Sequence, residues 1–272
     1  MVRQGGKPLS GTTTVELRGR AIAFSDTGGT GTPVILAHGF ALDSTMFASQ
    51  QALAPNCRVI AWDAPGHGES PVGESGFSFW DLAEIQLALM DVLGIDRAVV
   101  GGVSQGGFIA LRTALSAPDR VAALVLIDTE AKSLDPRDAE GYDELFSAIA
   151  SRGPAPDLVA ALAGQIIGDH PAAQTWAQTW SQRGIPLGAP VECLLQRDDI
   201  TGRLSEIAVP ALLIAGELDQ SIPIDRQEDM RKHLASPTGM NIIAGAGHSP
   251  PLTHPAPVNA RIADFLQRIR LE

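Results

Sequence analysis

Cysteine is nearly absent from this chain of 272 residues: Cys57 and Cys193 are too few to build a disulfide framework and read as packed free thiols. Positive charge is also short. Twenty Lys and Arg stand against 31 Asp and Glu, a formal net charge of −11, so the surface repels polyanions and offers no basic patch to nucleic acid or anionic lipid. No apolar run approaches the roughly 20 residues of a membrane-spanning helix, and the opening MVRQGGKPLSGTTT lacks the apolar core of a secretory signal. The expectation is a cytoplasmic protein without nucleic-acid or membrane partners, monomeric or homodimeric. The histidines fall in no HExxH pattern, and His170, His233 and His254 are isolated, so neither metal nor cofactor is expected.

What the chain does have is rhythm. Short apolar runs begin at Val34 (VILA), Arg58 (RVIAW), Ala98 (AVVGGV) and Val121 (VAALVLID), and read as strands buried on both faces. Between the second and third, Leu82, Ile85, Leu89 and Val92 recur at helical spacing, and residues 106–117 do likewise between the third and fourth. Strand, helix and strand with crossovers this long predict an α/β fold with a parallel sheet covered on both faces. Residues 14–18 and 20–26, joined at Gly19, predict an antiparallel hairpin at its edge. After Asp128 the rhythm breaks. Residues 130–203 hold no β-rich run but carry helical patterning around 142–150, 157–167 and 174–182, a predicted helical insertion. Strand character resumes with VPALLIAG at Val209 and MNIIA at Met240, and the chain closes on an amphipathic helix over 258–269.

The stretch GGVSQGGF, residues 101–108, places one serine among four glycines directly after a predicted strand. A serine hydroxyl is a poor nucleophile unless a base takes its proton and aimed donors meet the developing oxyanion. One recurring solution seats the serine on a tight strand-to-helix turn with glycine two residues before and two after, the spacing of Gly102, Ser104 and Gly106. The pentapeptide alone is modest evidence; its partners decide the matter. In that architecture an acid follows a later strand and a histidine follows the last one. Asp219 stands after ALLIAG, and His248 after MNIIA. Loops at the carboxyl ends of parallel strands share one sheet edge, so Ser104, Asp219 and His248 are expected to converge. The N–H groups of Gln105 and of Phe40, in VILAHGF, are the candidate oxyanion donors. No G-x-G-x-x-G fits the stretch and no Gly-Lys-Ser/Thr follows it, which excludes a phosphate loop.

Taken in order, HGF at His38, WDAPGHGES at Trp62, GVSQGG at Gly102, PALLIAGELDQSIP at Pro210 and GAGHSP at Gly245 resemble the α/β-hydrolase superfamily over nearly the whole chain. The likeness is to its lidded bacterial branch of 3-oxoadipate enol-lactonases, cofactor-free perhydrolases and related esterases. It implies an eight-stranded, mostly parallel sheet flanked by helices, with the main domain in residues 1–129 and 204–272 and a helical lid in 130–203, after the sixth strand. It also implies Ser104 as nucleophile, His248 as general base and acid, and Asp219 as the residue orienting it. Some members draw the acid from the position of Asp128, which stays open as the alternative; His38, Asp63 and His67 read as structural. Gln105 departs from the methionine usual in enol-lactonases and perhydrolases, and Thr253 from a frequent glutamate.

The activity so implied is hydrolysis of a carboxylic ester or lactone of small to medium, largely apolar character through an acyl-enzyme. Perhydrolysis, C–C bond hydrolysis and thioester cleavage are alternatives on the same triad, and a ligand-binding or receptor-like protein is the alternative of another class. A serine nucleophile argues against dehalogenase and epoxide hydrolase chemistry. Phe40, Met46, Leu162, Ile166, Trp176 and Trp180 are the candidate substrate-binding residues, with Leu158, Leu194 and Leu195 beside them.

Overall fold

The computed structural model describes residues 11–269; the first ten, on which most of the signal-peptide reading rests, lie outside the described residues. Strands β1 (Thr13–Leu17) and β2 (Arg20–Asp26) form the expected antiparallel hairpin. Its turn residues Arg18 and Gly19 both have positive φ, 51° and 76°, the backbone whose twist matches paired strands. Six further strands follow: β3 (Thr32–Ala37), β4 (Cys57–Trp62), β5 (Ala98–Val103), β6 (Val121–Ile127), β7 (Ala211–Gly216) and β8 (Pro237–Ile243). They make one eight-stranded sheet ordered β1-β2-β4-β3-β5-β6-β7-β8, parallel from β4 through β8. The central strands are apolar and buried along their whole length, because helices cover both faces.

Helix α1 (Phe79–Val92) starts at a capping box in which the Ser78 hydroxyl accepts from the Asp81 N–H and the Asp81 carboxylate from the Ser78 N–H. Leu82, Ile85 and Leu89 face the core as their spacing predicts, whereas Val92, in the final turn, is exposed. Helix α2 (Gln105–Ser116) opens directly at the end of β5. The segment between β6 and β7 is helical, with α3 (Pro136–Arg152), α4 (Pro156–Ile166), α5 (Pro171–Arg183) and α6 (Ala189–Leu195). The chain then adds α7 (Ile224–His233), α8 (Pro250–Thr253) and α9 (Pro255–Arg268). Two helices carry no readable apolar stripe: α6 is under two turns long, and α7 (IDRQEDMRKH) buries only Gln227 and Met230. Among the described residues no helix is long and apolar enough to cross a membrane. Both thiols are free and buried, and burial pushes that of Cys193 up to about 12.

Candidate active site

Ser104 occupies the turn between β5 and α2 at φ 54° and ψ −114°, a left-handed conformation that costs a residue with a side chain about 1–3 kcal/mol. Neighbouring bonds impose it. The Ser104 N–H donates to the Ile127 carbonyl at 3.0 Å, and its own carbonyl accepts from the Gly107 N–H at 2.9 Å and the Thr129 hydroxyl at 2.8 Å. Glycine is required on both sides, because a Cβ at Gly102 or at Gly106 would collide with the Ala37 carbonyl oxygen on β3. Since that obstacle is backbone, Gly106→Ala is expected to destabilise the fold by about 3 kcal/mol, read as a lower urea midpoint.

The loops after β7 and β8 bring Asp219 and His248 together. Leu218 N–H donates to the Ala246 carbonyl at 2.8 Å, and the Glu217 carboxylate accepts from the Gly245 N–H at 2.8 Å, so Glu217 ties the two loops. Asp219 Oδ1 accepts from the Ser221 and Ile222 amides at 2.8 and 3.0 Å, which fixes the carboxylate plane. Its Oδ2 accepts from His248 Nδ1 at 2.8 Å, and both side chains are buried. Burial alone would lower the His248 pKa, but the charge and hydrogen bond of Asp219 outweigh it and raise the imidazole above its ordinary value.

Asp128, the alternative acid, is placed differently. Its Oδ1 accepts from the Gly216 N–H at 2.7 Å and from Gln227 Nε2 at 3.1 Å, while its Oδ2 is buried with no hydrogen-bond partner among the described residues. Burial, then the nearby charge of Asp219, pushes its pKa well above the usual carboxylate range. Gln227 also donates to the Ile222 carbonyl at 2.8 Å and thereby ties α7 to the Asp219 turn. As one buried polar residue in a polar helix, it left no signal in the sequence.

The turn after β3 carries Phe40, whose ring packs edge-on against His67 and Phe146 at 5.4 and 5.2 Å. His38 Nδ1 donates to the Gly39 carbonyl at 2.8 Å and its Nε2 accepts from the Ala64 N–H at 3.0 Å. Both ring nitrogens thus serve the turn. Asp63 accepts from the Ser44 and Glu69 amides at 2.7 and 2.9 Å, and burial drives the pKa of His67 well below its ordinary value, leaving it neutral. Gln105 is the first residue of α2, where backbone N–H groups lack intrahelical acceptors.

Ser104 and His248 line two adjoining cavities. One, of about 30 Å³, is walled by Phe40, Leu42, Phe146, Leu162, Ile166 and Leu194. The other, of about 20 Å³, is walled by Phe108, Leu134, Asp138, Arg197, Ile222 and Arg226. Tyr142 and Ser221 border both cavities and an outer recess of about 450 Å³. Of the candidate substrate-binding residues, Phe40, Leu162 and Ile166 therefore face Ser104. Three do not. Met46 is buried in a short 3-10 helix within the main core. Trp176 and Trp180 line a separate recess of about 140 Å³ against Gly66, His67 and Gly68, where Trp180 Nε1 is anchored by the Ala41 carbonyl at 2.7 Å. Leu158 and Leu195 pack against the core. Tyr142, Phe146, Ser221, Arg197 and Arg226 escaped the sequence reading because only tertiary packing carries them to Ser104.

Comparison with known proteins agrees with this architecture. A family model described as alpha/beta hydrolase fold matches residues 32–255. The chain is 29% identical over 266 residues to a pimeloyl-acyl-carrier-protein methyl ester esterase of Pectobacterium carotovorum, covering 91% of this chain and 99% of the relative. It is 44% identical over 114 residues to the dihydrolipoyllysine-residue acetyltransferase component of the acetoin cleaving system of Pseudomonas putida; that match covers 41% of this chain and only 31% of the relative's length. Among solved structures, a thermophilic esterase from Thermogutta terrifontis superposes with a TM-score of 0.82 at 28% identity, covering 96% of this chain and 99% of the other.

Proposed function

The chain belongs to the α/β-hydrolase family, and from that premise we propose that it is a serine hydrolase that cleaves carboxylic esters or lactones of small to medium size through an acyl-enzyme. One observation carries the reading. A serine on a strained strand-to-helix turn shares its cavity with a histidine whose Nδ1 is held by a buried carboxylate at 2.8 Å. Esterases among the proteins to which it is similar support the same class.

In the proposed reaction Ser104 Oγ attacks the carbonyl carbon while His248 Nε2 accepts the hydroxyl proton, and Asp219 stabilises the resulting imidazolium. The Phe40 and Gln105 amides receive the charge on the carbonyl oxygen. Collapse of the tetrahedral intermediate breaks the bond to the alkoxide, which takes the proton from His248. Water then attacks the acyl carbon and gives its proton to His248; the acyl–Oγ bond breaks and the proton returns to Ser104.

His248 must begin neutral, and Asp219 raises its pKa, so activity is expected to be absent well below that pKa and to rise as pH climbs through it. Initial rates on p-nitrophenyl acetate, a butyrolactone and a thioester across pH test the reading. The expected result is ester kcat/KM on the order of 10,000 M⁻¹ s⁻¹, with an acid limb lying above the pH at which a free histidine titrates, about 6.5. Folded protein that turns over neither ester nor lactone contradicts it.

A further inference from the structure

Beside the cavities of Ser104 lies a recess that the proposed hydrolysis does not use. Its volume is about 140 Å³, and Ser104 is not among its walls. One side comes from α5, with Trp176, Trp180 and Arg183; the other comes from the loops after β3 and β4, with Ala41, Asp43 and His67. The His67 ring packs edge-on against Phe40 at 5.4 Å, and Phe40 in turn walls the cavity beside Ser104. The two spaces are therefore neighbours, separated by a layer of side chains.

The walls of this recess hold acceptors that lack donors. Asp43 is only 6% exposed; its Oδ1 accepts from the Thr45 amide and hydroxyl, while its Oδ2 has no hydrogen-bond partner among the described residues. An enclosed carboxylate is costly to leave half paired. His67, 3% exposed, donates from Nδ1 to the Pro65 carbonyl at 3.2 Å, which makes Nε2 a second buried acceptor without a partner. The donors alongside are mostly committed. Trp180 Nε1 donates to the Ala41 carbonyl at 2.7 Å and the Thr179 hydroxyl to the Thr175 carbonyl at 3.1 Å. Arg183 Nη2 lies 3.2 Å from Glu69 Oε1, where both side chains are more than half exposed.

Charge and the aromatic walls then name the ligand. The Trp176 and Trp180 rings stand 6.2 Å apart at 42° to each other, and indole faces attract a cation while covering an apolar body. An anion would meet Asp43, and a neutral molecule would leave the Asp43 charge unmatched. The one cation already present, Arg183, is offset by Glu69 at the rim. A formal net charge of −11 draws positive ligands to the molecule as a whole.

We propose that this recess binds a small organic ammonium ion, its N–H groups donating to Asp43 Oδ2 and its apolar body lying against Trp176 and Trp180. Such a ligand touches α5 on one side and the loops after β3 and β4 on the other, and so fastens them together. Binding is read without turnover, so the result stands apart from the serine-hydrolase reading.

The test is calorimetric titration of the purified full chain with 2-phenylethylamine, its neutral counterpart 2-phenylethanol and its anionic counterpart 3-phenylpropionate. The amine is expected to bind with a Kd on the order of 0.1 mM, the alcohol about tenfold more weakly, and the anion most weakly of the three. At ten times its Kd the amine is expected to raise the melting temperature by about 3 °C. The indole N–H resonances of Trp176 and Trp180 are expected to shift, and those of Trp62 and Trp80 to stay. Asp43→Asn keeps an oxygen for the Thr45 amide but loses the charge, and is expected to weaken the amine about tenfold while leaving the alcohol unchanged. Trp176→Leu is expected to weaken both about tenfold, and Ser104→Ala neither. Amine and alcohol bound equally well, an Asp43→Asn protein that binds the amine as the wild type does, indole shifts that bypass Trp176 and Trp180, or no binding at all would overturn the proposal.

Discussion

Ser104→Ala is expected to lower kcat/KM for p-nitrophenyl acetate by about five to six orders of magnitude, the scale on which removing the nucleophile of a serine triad acts. The loss is large because the groups around Ser104 have nothing else to activate. A water in the vacated space would lack the covalent route that splits one difficult step into two easier ones. Fold stability is expected to hold. Deleting one oxygen leaves every backbone bond of the turn in place, including the Ser104 N–H to the Ile127 carbonyl and the Ser104 carbonyl to Thr129. The check is steady-state kinetics beside a thermal melt: unchanged melting with abolished turnover fits the proposal, and full turnover contradicts it.

Asp219→Asn carries the second large effect, a loss in kcat of about 10,000-fold. Asparagine is nearly isosteric, but it carries no charge to stabilise the imidazolium, and with its amide nitrogen toward His248 it favours the wrong ring tautomer. Asp128→Asn is expected to cost less than about tenfold, because the Asp128 Oδ1 serves Gly216 and Gln227 while the carboxylate bonded to His248 Nδ1 is that of Asp219. If Asp128 were the orienting residue, the two variants would exchange places. Kinetics of both, measured at one pH above the acid limb, separates the cases. Asp219→Asn should in addition bring the acid limb down, since the carboxylate is the main influence raising the His248 pKa against burial.

Local pattern explains which parts of the architecture were legible in the sequence. Strands β3 to β7 each carry a short apolar run bounded by loops, and α1 and α2 repeat at helical spacing, so element type and order followed from periodicity. The approach of Ser104, Asp219 and His248 followed from topology, because each stands just beyond the carboxyl end of a strand in one sheet. What did not follow was anything fixed by side-chain packing between distant segments. Helix α7 has almost no apolar face, yet its Gln227 braces the Asp219 turn from eight positions further along the chain. Trp176 and Trp180 have the composition of pocket residues, but the way α5 docks turns them toward Ala41 and Gly66. The reverse holds for Arg197 and Arg226: nothing in their local sequence distinguishes them from surface arginines, and only the fold places them beside the serine. Periodicity reports which face of an element is buried, whereas which wall of which cavity it forms is a long-range fact.

The central claim is that Ser104 is a nucleophile activated by His248. A fluorophosphonate bonds covalently to a serine so activated, and peptide mass spectrometry then reads the site directly. The account predicts a single phosphonylated peptide containing Ser104, formed by the wild-type protein, lost in Ser104→Ala and strongly slowed in Asp219→Asn. Folded wild-type protein that remains unlabelled, or label that persists in Ser104→Ala, would contradict it.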